Sequence, residues 1–206
     1  MRSLMLLRIF AIVLGVLLFS SSANAGTMVL DIAPTTHIYL PVIYRMPTEP
    51  PDFAIYTGSI LRAGFDMGVD TSGRLFDWVT DMDGYMCMAY PSGQNWGVVY
   101  ITVGRPAPLG QRQAHDFSSY KRLGVDLLGA QGGEVVHIGV KDNRDLDNGS
   151  ETKVKATLTG SWQTYTFPLS TFATADLANV YIPVEFVFEP SVGPETVCFR
   201  NIWYLR

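Results

Sequence analysis

The sequence of 206 residues has few of the side chains that build reactive sites. It contains two Cys and three His, which leaves little for a metal site rich in these residues. Only 17% of the residues are charged and the formal net charge is −4, so the chain lacks the basic surplus that binds nucleic acid irrespective of sequence. With 48% apolar residues, it is too apolar for disorder and long enough to bury a core.

Signatures of catalysis are also missing. The sequence has no Gly-x-Ser-x-Gly, no His-Glu-x-x-His, no Gly-rich phosphate loop and no Cys-x-x-Cys. Two carboxylates among Asp126, Glu134 and Glu185 would suffice for glycoside hydrolysis, but nothing in their spacing selects a pair. We therefore predict a protein that is not an enzyme, and keep a small glycoside hydrolase as the third hypothesis.

An apolar run at the N-terminus is too short to span a membrane. Arg2 and Arg8 precede the eleven residues 9–19, and Ala23-Asn24-Ala25 follows. This order is typical of a cleaved secretory signal, whereas a spanning helix needs about 20 apolar residues. We expect residues 1–25 to be a signal peptide and residues 26–206 to form one domain that is secreted or periplasmic. A retained membrane anchor is the alternative.

The two cysteines are far apart in the sequence. In an oxidising compartment, Cys87 and Cys198 can form a disulfide that ties an early strand to the last one. Two buried thiols without a bond are the alternative, because spacing alone does not show whether two cysteines approach each other.

Short apolar runs with a period of two dominate the chain from about residue 84. They are separated by clusters of Gly, Pro, Asn, Asp and Ser, and they cover residues 97–103, 121–128, 134–141, 162–167, 180–189 and 196–205. This period is typical of strands with one buried face. The chain is therefore predicted to be all-β, an antiparallel β-sandwich. Prolines in residues 26–60 indicate an extended arm that precedes it.

The same period separates core-facing from outward-facing side chains. Where Val99 and Ile101 point inward, Trp96 and Tyr100 point outward. A sugar ring stacks its C–H face on aromatic rings, and its hydroxyls bond to polar groups. The candidate carbohydrate-binding residues are therefore the outward-facing aromatic and polar side chains Trp96, Tyr100, Asp126, His137, Lys141 and Glu185. The alternative is that the N-terminal arm covers the two aromatic rings.

Residues 141–151 form an acidic stretch. Around Gly149, it offers the hard oxygen donors that calcium prefers, namely Asp142, Asp145, Asp147 and Glu151. The spacing is not that of the twelve-residue calcium loop, since Arg144 interrupts it. A solvated hairpin loop without metal is the alternative interpretation.

Five segments in order carry a family resemblance, namely residues 90–97, 139–142, 147–153, 161–169 and 197–202. Their order and spacing resemble carbohydrate-binding modules with a galactose-binding-like jelly roll, over about residues 85–206. The resemblance implies two sheets packed face to face, a ligand on a concave sheet face or at the loop end, and often a structural calcium. Many relatives have Asp where this chain has Arg200, which argues against the calcium.

We therefore predict a secreted or envelope protein that binds a polysaccharide or glycoconjugate without catalysis. The alternative is a structural or protein-interaction module of the cell envelope, with residues 33–51 of the arm as its contact element. The composition predicts no nucleic-acid partner, and the mature chain is predicted to have no integral membrane span.

Overall fold

The computed structural model describes residues 53–190 and 194–206. The predicted signal peptide 1–25 and most of the predicted arm 26–60 lie outside these residues. The described residues form strands and a single turn of 3-10 helix, Leu169–Thr171. None of their helices is long and apolar enough to cross a membrane. The strands are β1 Phe53–Thr57, β2 Ile60–Leu61, β3 Phe65–Thr71, β4 Val79–Met82, β5 Tyr85–Tyr90, β6 Gly97–Val103, β7 Arg122–Gly129, β8 Val135–Asp142, β9 Lys153–Thr157, β10 Gln163–Pro168, β11 Val180–Phe188 and β12 Glu195–Leu205.

These strands form two antiparallel sheets. The five-stranded sheet has the order β3-β6-β11-β8-β9, and the seven-stranded sheet contains the path β10-β7-β12-β1-β2. In the second sheet β5 pairs with the first half of β12, and β4 pairs with β5. The predicted antiparallel β-sandwich is confirmed.

Aromatic rings join the two sheets across the core. Phe186 of β11 stacks on Phe199 of β12 with 4.7 Å between ring centroids, and Phe188 stacks on Tyr90 at 5.0 Å. The buried hydroxyl of Tyr204 donates a hydrogen bond of 2.7 Å to the carbonyl oxygen of Pro183. Each of these large apolar side chains contributes about 1.5–3 kcal/mol by leaving water. Their alternation along β11 is why its opposite face is free to carry polar groups.

Strands also lie before residue 84, the position from which the period of two is clear in the sequence. Four strands lie between residues 53 and 82, and β1 replaces part of the predicted arm 26–60. β1 follows the last proline of the arm, Pro51, and its residue Ile55 is only 1% exposed. Because a proline-free segment can donate all its N–H groups, β1 pairs with β12 inside the sheet instead of lying along its edge.

A disulfide links β5 to β12. Cys87 and Cys198 lie directly opposite each other in the paired strands, with 4.1 Å between their Cα atoms. The first of the two interpretations of the cysteines is therefore confirmed. The bond spans 111 residues of sequence, so it restricts the unfolded chain over most of the sandwich.

We predict that the double variant Cys87→Ala/Cys198→Ala loses about 2–5 kcal/mol of unfolding free energy, because its unfolded chain is no longer cross-linked. Urea denaturation measures the change. The wild-type protein in reducing agent is the control and is expected to reach the same midpoint as the variant. A variant as stable as the oxidised wild type contradicts the prediction.

Candidate functional site

The outer face of the five-stranded sheet carries a groove of about 930 Å³. Strands β3, β6, β11 and β8 contribute to it, and the loops 91–96, 104–121 and 143–152 form its rim. Ligand sites in proteins have volumes of about 300–1,000 Å³. The groove is therefore large enough for several sugar rings or a ligand of similar size.

A row of directly opposed residues forms the floor of the groove. Across the sheet, the row reads Gly68, Tyr100, Glu185, Gly139 and Lys153. A Cβ atom on Gly68 would collide with the ring of Tyr100, and one on Gly139 would collide with the carboxylate of Glu185. The two glycines therefore let these side chains lie across the neighbouring strands. This packing makes the floor flat.

Trp96 stands at one end of the groove, just before β6. Its side chain is 43% exposed, and the loop that bears it is anchored at several points. The carbonyl oxygen of Trp96 accepts a hydrogen bond of 3.0 Å from the amide of Ser72, and Gln94 Oε1 accepts one of 2.7 Å from the amide of Gly73. Within the described part of the chain, neither the indole N–H of Trp96 nor the Tyr100 hydroxyl has a hydrogen-bond partner.

Lys141 lies among three carboxylates beneath the middle of the groove. Its Nζ is 3.3 Å from Glu185 Oε2, 3.5 Å from Asp147 Oδ1 and 3.7 Å from Glu151 Oε2. Glu151 also accepts a hydrogen bond of 2.6 Å from Lys153 Nζ. Lys141 is 8% exposed and Glu185 is 1% exposed. The charges of this cluster are therefore stabilised mainly by one another and less by water.

Arg112 closes the far end of the groove. Its guanidinium lies over the ring of Tyr181, at 4.9 Å from the centroid. It also donates a hydrogen bond of 2.6 Å to the carbonyl oxygen of Asp145, and it forms an ion pair with Asp147. The hydroxyl of Tyr181 accepts a hydrogen bond of 2.8 Å from the amide of Ala107. Through these contacts the loops 104–121 and 143–152 are fastened to each other and to the sheet.

The buried groups of the Lys141 cluster have pKa values that are shifted in different directions. Burial raises the pKa of Glu185 to about 7, with Lys141 opposing the shift and the negative charge of Glu151 adding to it. Burial alone would lower the pKa of Lys141, but attraction to Glu185, Glu151 and Asp147 outweighs it and the pKa of Lys141 is raised. The pKa of Glu151 is lowered, since burial is outweighed by the hydrogen bond from Lys153 and other favourable contacts. Glu185 is thus the member of the cluster that changes charge near neutral pH.

The acidic stretch does not have the donor arrangement of a calcium site. Asp142 accepts hydrogen bonds from the amides of Arg144 and Asp176, at 2.7 and 3.0 Å, and Asp145 accepts one of 2.7 Å from the amide of Asp147. Asp147 and Glu151 are paired with side-chain cations. Among residues 53–190 and 194–206, no group of three or more His, Cys, Asp or Glu is placed to hold a metal ion. The residues present therefore do not fit the calcium interpretation of Asp142, Asp145, Asp147 and Glu151.

The structure brings four of the six predicted binding residues together. Trp96, Tyr100, Lys141 and Glu185 all line the groove. His137 lies on the same sheet, with its Nε2 3.8 Å from Oε1 of Glu189, and it is outside the set of lining residues. The outward-facing aromatic and charged residues of β6, β8 and β11 thus converge on one surface.

Asp126 lies apart from this groove, in β7 of the seven-stranded sheet. Its carboxylate accepts hydrogen bonds from Thr164 Oγ1 at 2.6 Å, Asn201 Nδ2 at 2.7 Å and Arg200 Nε at 3.2 Å. The period of a strand shows which side chains face outward, but it does not show to which sheet the strand belongs. Asp126 therefore does not belong with the other candidates.

Several lining residues were not among the predicted binding residues. Asp70 faces outward from β3, and its alternation with Gly68 and Asp66 is a signal that could have found it. Arg112 comes from an irregular loop without any period, so only the tertiary structure places it in the groove. Asp147 and Glu151 were predicted as metal ligands, whereas they hold the cations of the groove.

A groove on the face of an antiparallel β-sandwich, with aromatic rings beside polar groups, is the architecture of a carbohydrate-binding module. The sequence matches the family Carbohydrate binding domain 30 over residues 87–205, which is more than half of the chain. The chain belongs to this family. The predicted resemblance to carbohydrate-binding modules is therefore confirmed, and carbohydrate binding is the activity of the family.

Solved structures resemble this one at low sequence identity. The crystal structure of a family 30 carbohydrate-binding module is 17% identical, with a TM-score of 0.52 over 75% of this chain and 88% of that one. A mutant family 29 module complexed with mannohexaose is 14% identical, with a TM-score of 0.48 over 73% and 87% of the two chains. Another, complexed with cellulohexaose, has the same identity and TM-score over 72% and 86%. No curated protein matches the sequence.

We predict that the unfolding free energy falls as the pH rises from about 4.5 to above 7. The folded protein keeps the proton of Glu185 up to a pKa of about 7, whereas the unfolded chain loses it near the ordinary value for Glu, about 4.3. Folding therefore binds a proton in this window, and the stability that this proton supplies, on the order of 3 kcal/mol, is lost at higher pH.

Urea denaturation of the wild type and Glu185→Gln at pH 5 and pH 8 tests this prediction. Glutamine cannot lose a proton, so the variant is expected to lose less stability than the wild type between the two values. Glu151 and Lys141 keep their charges in this window, because their pKa values are shifted away from it. Equal losses in both proteins contradict the assignment.

Proposed function

We propose that this protein binds a neutral polysaccharide in the groove of the five-stranded sheet and does not alter it chemically. The proposal depends on the exposed indole of Trp96, which lies at the end of the groove. The flat floor of the groove contains Tyr100. Aromatic rings of this kind have an apolar face for the C–H groups of a pyranose. Among the described residues, their N–H and O–H groups have no hydrogen-bond partner, so they are available to its hydroxyls.

The exposure of the polar residues in the groove distinguishes those that support its floor from those that can contact a ligand. Glu185 and Lys141 are almost wholly buried, so they support the floor and set its charge. Asp70 and Asp147 have side chains that are 25% and 48% exposed, and Asn95 at the rim is exposed as well. These three side chains are placed to exchange hydrogen bonds with sugar hydroxyls. A few polar groups among apolar surface are what fixes the orientation of a ligand.

The ion pairs of the groove favour a ligand without charge. Its three cations, Arg112, Lys141 and Lys153, already face the carboxylates of Asp147, Glu151 and Glu185. A uronic acid would have to displace one of these carboxylates to find a cationic partner, and it would meet the further negative charge of Asp70. Like charges brought together in an interface oppose binding. Neutral hexose units meet neither obstacle.

Two observations support a binding protein that does not cleave its ligand: the family to which the chain belongs, and the positions of the candidate catalytic carboxylates. The family is one of carbohydrate-binding domains. Asp126 and Glu185, which were two of the candidates for a hydrolytic pair, lie on different sheets. We further propose that the protein acts outside the cytoplasm, in line with the signal-like residues 1–25. The alternative function as a protein-interaction module depends on residues 33–51, which lie outside the described residues.

We predict that Trp96→Ala weakens binding to soluble glucomannan about 10- to 100-fold, since removal of an aromatic anchor costs about 2 kcal/mol or more. Affinity electrophoresis in gels with and without glucomannan measures the change. Phe76→Ala is the matched control, because Phe76 is 58% exposed and lies outside the groove lining. Equal retardation of the wild type and Trp96→Ala would rule out the groove as the main binding site.

We also predict that polygalacturonate, an anionic polysaccharide, retards the wild type far less than glucomannan does. Asp147→Asn removes a carboxylate that faces both Arg112 and Lys141. This variant is expected to gain retardation in polygalacturonate, and the gain should vanish at high salt because surface charges are screened. Strong binding of polygalacturonate by the wild type contradicts the proposed preference for neutral sugars.

A further inference from the structure

The seven-stranded sheet presents a second flat aromatic ring on its outer face. Trp203 of β12 lies opposite Gly124 of β7. A Cβ atom on Gly124 would be 2.6 Å from Nε1 and 2.8 Å from Cε2 of this indole, so the ring lies over the backbone of the neighbouring strand. This is the same arrangement as Tyr100 over Gly68 on the other sheet. In both cases only a glycine leaves the space for the ring.

The residues directly opposite Trp203 in the two neighbouring strands are small. Its register partner on the other side is Ala54 of β1, and Thr166 of β10 lies opposite Gly124. Ala, Gly and Thr are too short to rise above an indole that lies on the sheet. Among the described residues, no hydrogen bond involves the indole N–H of Trp203. Trp203 is half-buried, so part of its side chain is accessible to a ligand.

A neutral polar network occupies the next row of the same face. A β-bulge in β12 places both Arg200 and Asn201 opposite Asp126. Asp126 is 5% exposed and accepts hydrogen bonds from both of them and from Thr164. The guanidinium of Arg200 also lies over the ring of Trp162, at 4.6 Å from the centroid. Rows on one face of a strand are about 7 Å apart, so a ligand on Trp203 reaches these groups.

We infer that this face is a second saccharide-binding platform, on which Trp203 stacks against a pyranose ring of a neutral polysaccharide and Arg200 and Thr164 bond to its hydroxyls. The ligand is neutral because the positive charge of Arg200 is already matched by Asp126. The indole supplies the apolar plane that the C–H face of a sugar needs.

The two platforms point in opposite directions, since they lie on the outer faces of sheets that pack against each other. A single extended polysaccharide chain cannot follow both faces at once. The protein therefore bridges two chains, or two segments of one long chain, and gains avidity on dense polysaccharide. This second site is separate from the groove, and it depends on Trp203 and not on Trp96.

Affinity electrophoresis and light scattering with soluble glucomannan test the second platform, using the full chain and its variants Trp96→Ala, Trp203→Ala and the double variant. Each single variant is expected to keep weakened retardation, with a dissociation constant about tenfold larger, and the double variant is expected to show none. Wild-type protein is expected to raise the scattering of long chains by cross-linking them. Neither single variant should do so.

Thr166→Arg tests the same platform without removing the indole. Thr166 is exposed, and an arginine at this position can cover the ring through a cation–π contact. It is expected to act like Trp203→Ala while the melting temperature stays unchanged. Phe76→Ala again serves as the control for loss of an exposed aromatic ring.

The outcomes separate the two sites. If Trp203→Ala and Thr166→Arg bind and scatter like the wild type, the second platform is refuted. It is also refuted if Trp203→Ala lowers only the melting temperature, because the indole then serves the protein itself. If Trp203→Ala abolishes retardation and Trp96→Ala has no effect, the second platform stands and the groove proposal fails.

Discussion

The buried contacts of Lys141 hold the groove together. One ammonium group on β8 faces Glu185 on β11 and both Asp147 and Glu151 of the adjoining loop. Asp147 in turn pairs with Arg112, so a second loop is tied to the same cluster. Removing one partner of such a buried cluster leaves an uncompensated charge, which costs about 3–5 kcal/mol. The shape of the binding surface therefore depends on a charged cluster of which Lys141, Glu151 and Glu185 are buried and only Asp147 is exposed enough to meet the ligand.

Glycines give both outer faces their flat aromatic surfaces. Tyr100 lies over Gly68 on one sheet, and Trp203 lies over Gly124 on the other. A strand normally holds its side chains upright, and an upright ring offers a sugar only its edge. A glycine on the adjacent strand lets the ring turn down and show its face. Two sheets built in this way give one small domain two surfaces for polysaccharide.

The sequence pattern predicts which side chains of a strand face outward, but it does not predict which strands lie next to each other in a sheet. Trp96, Tyr100, Lys141 and Glu185 were found because alternation marks the outward side of a strand. Asp126 satisfies the same rule but belongs to the other sheet. Trp203 was missed because it sits in a mixed run of the last strand, and its partner Gly124 is 79 positions earlier in the sequence. No local period connects two such residues.

The sequence alone predicted an all-β sandwich, because strand period and turn residues are local properties. The resemblance to carbohydrate-binding modules was inferred from the order and spacing of short motifs. Only the tertiary structure decided which outward residues meet, since strand order and register join segments that are far apart in the chain. It also decided that the two cysteines are bonded, and that Asp147 and Glu151 of the acidic stretch pair with lysine and arginine side chains.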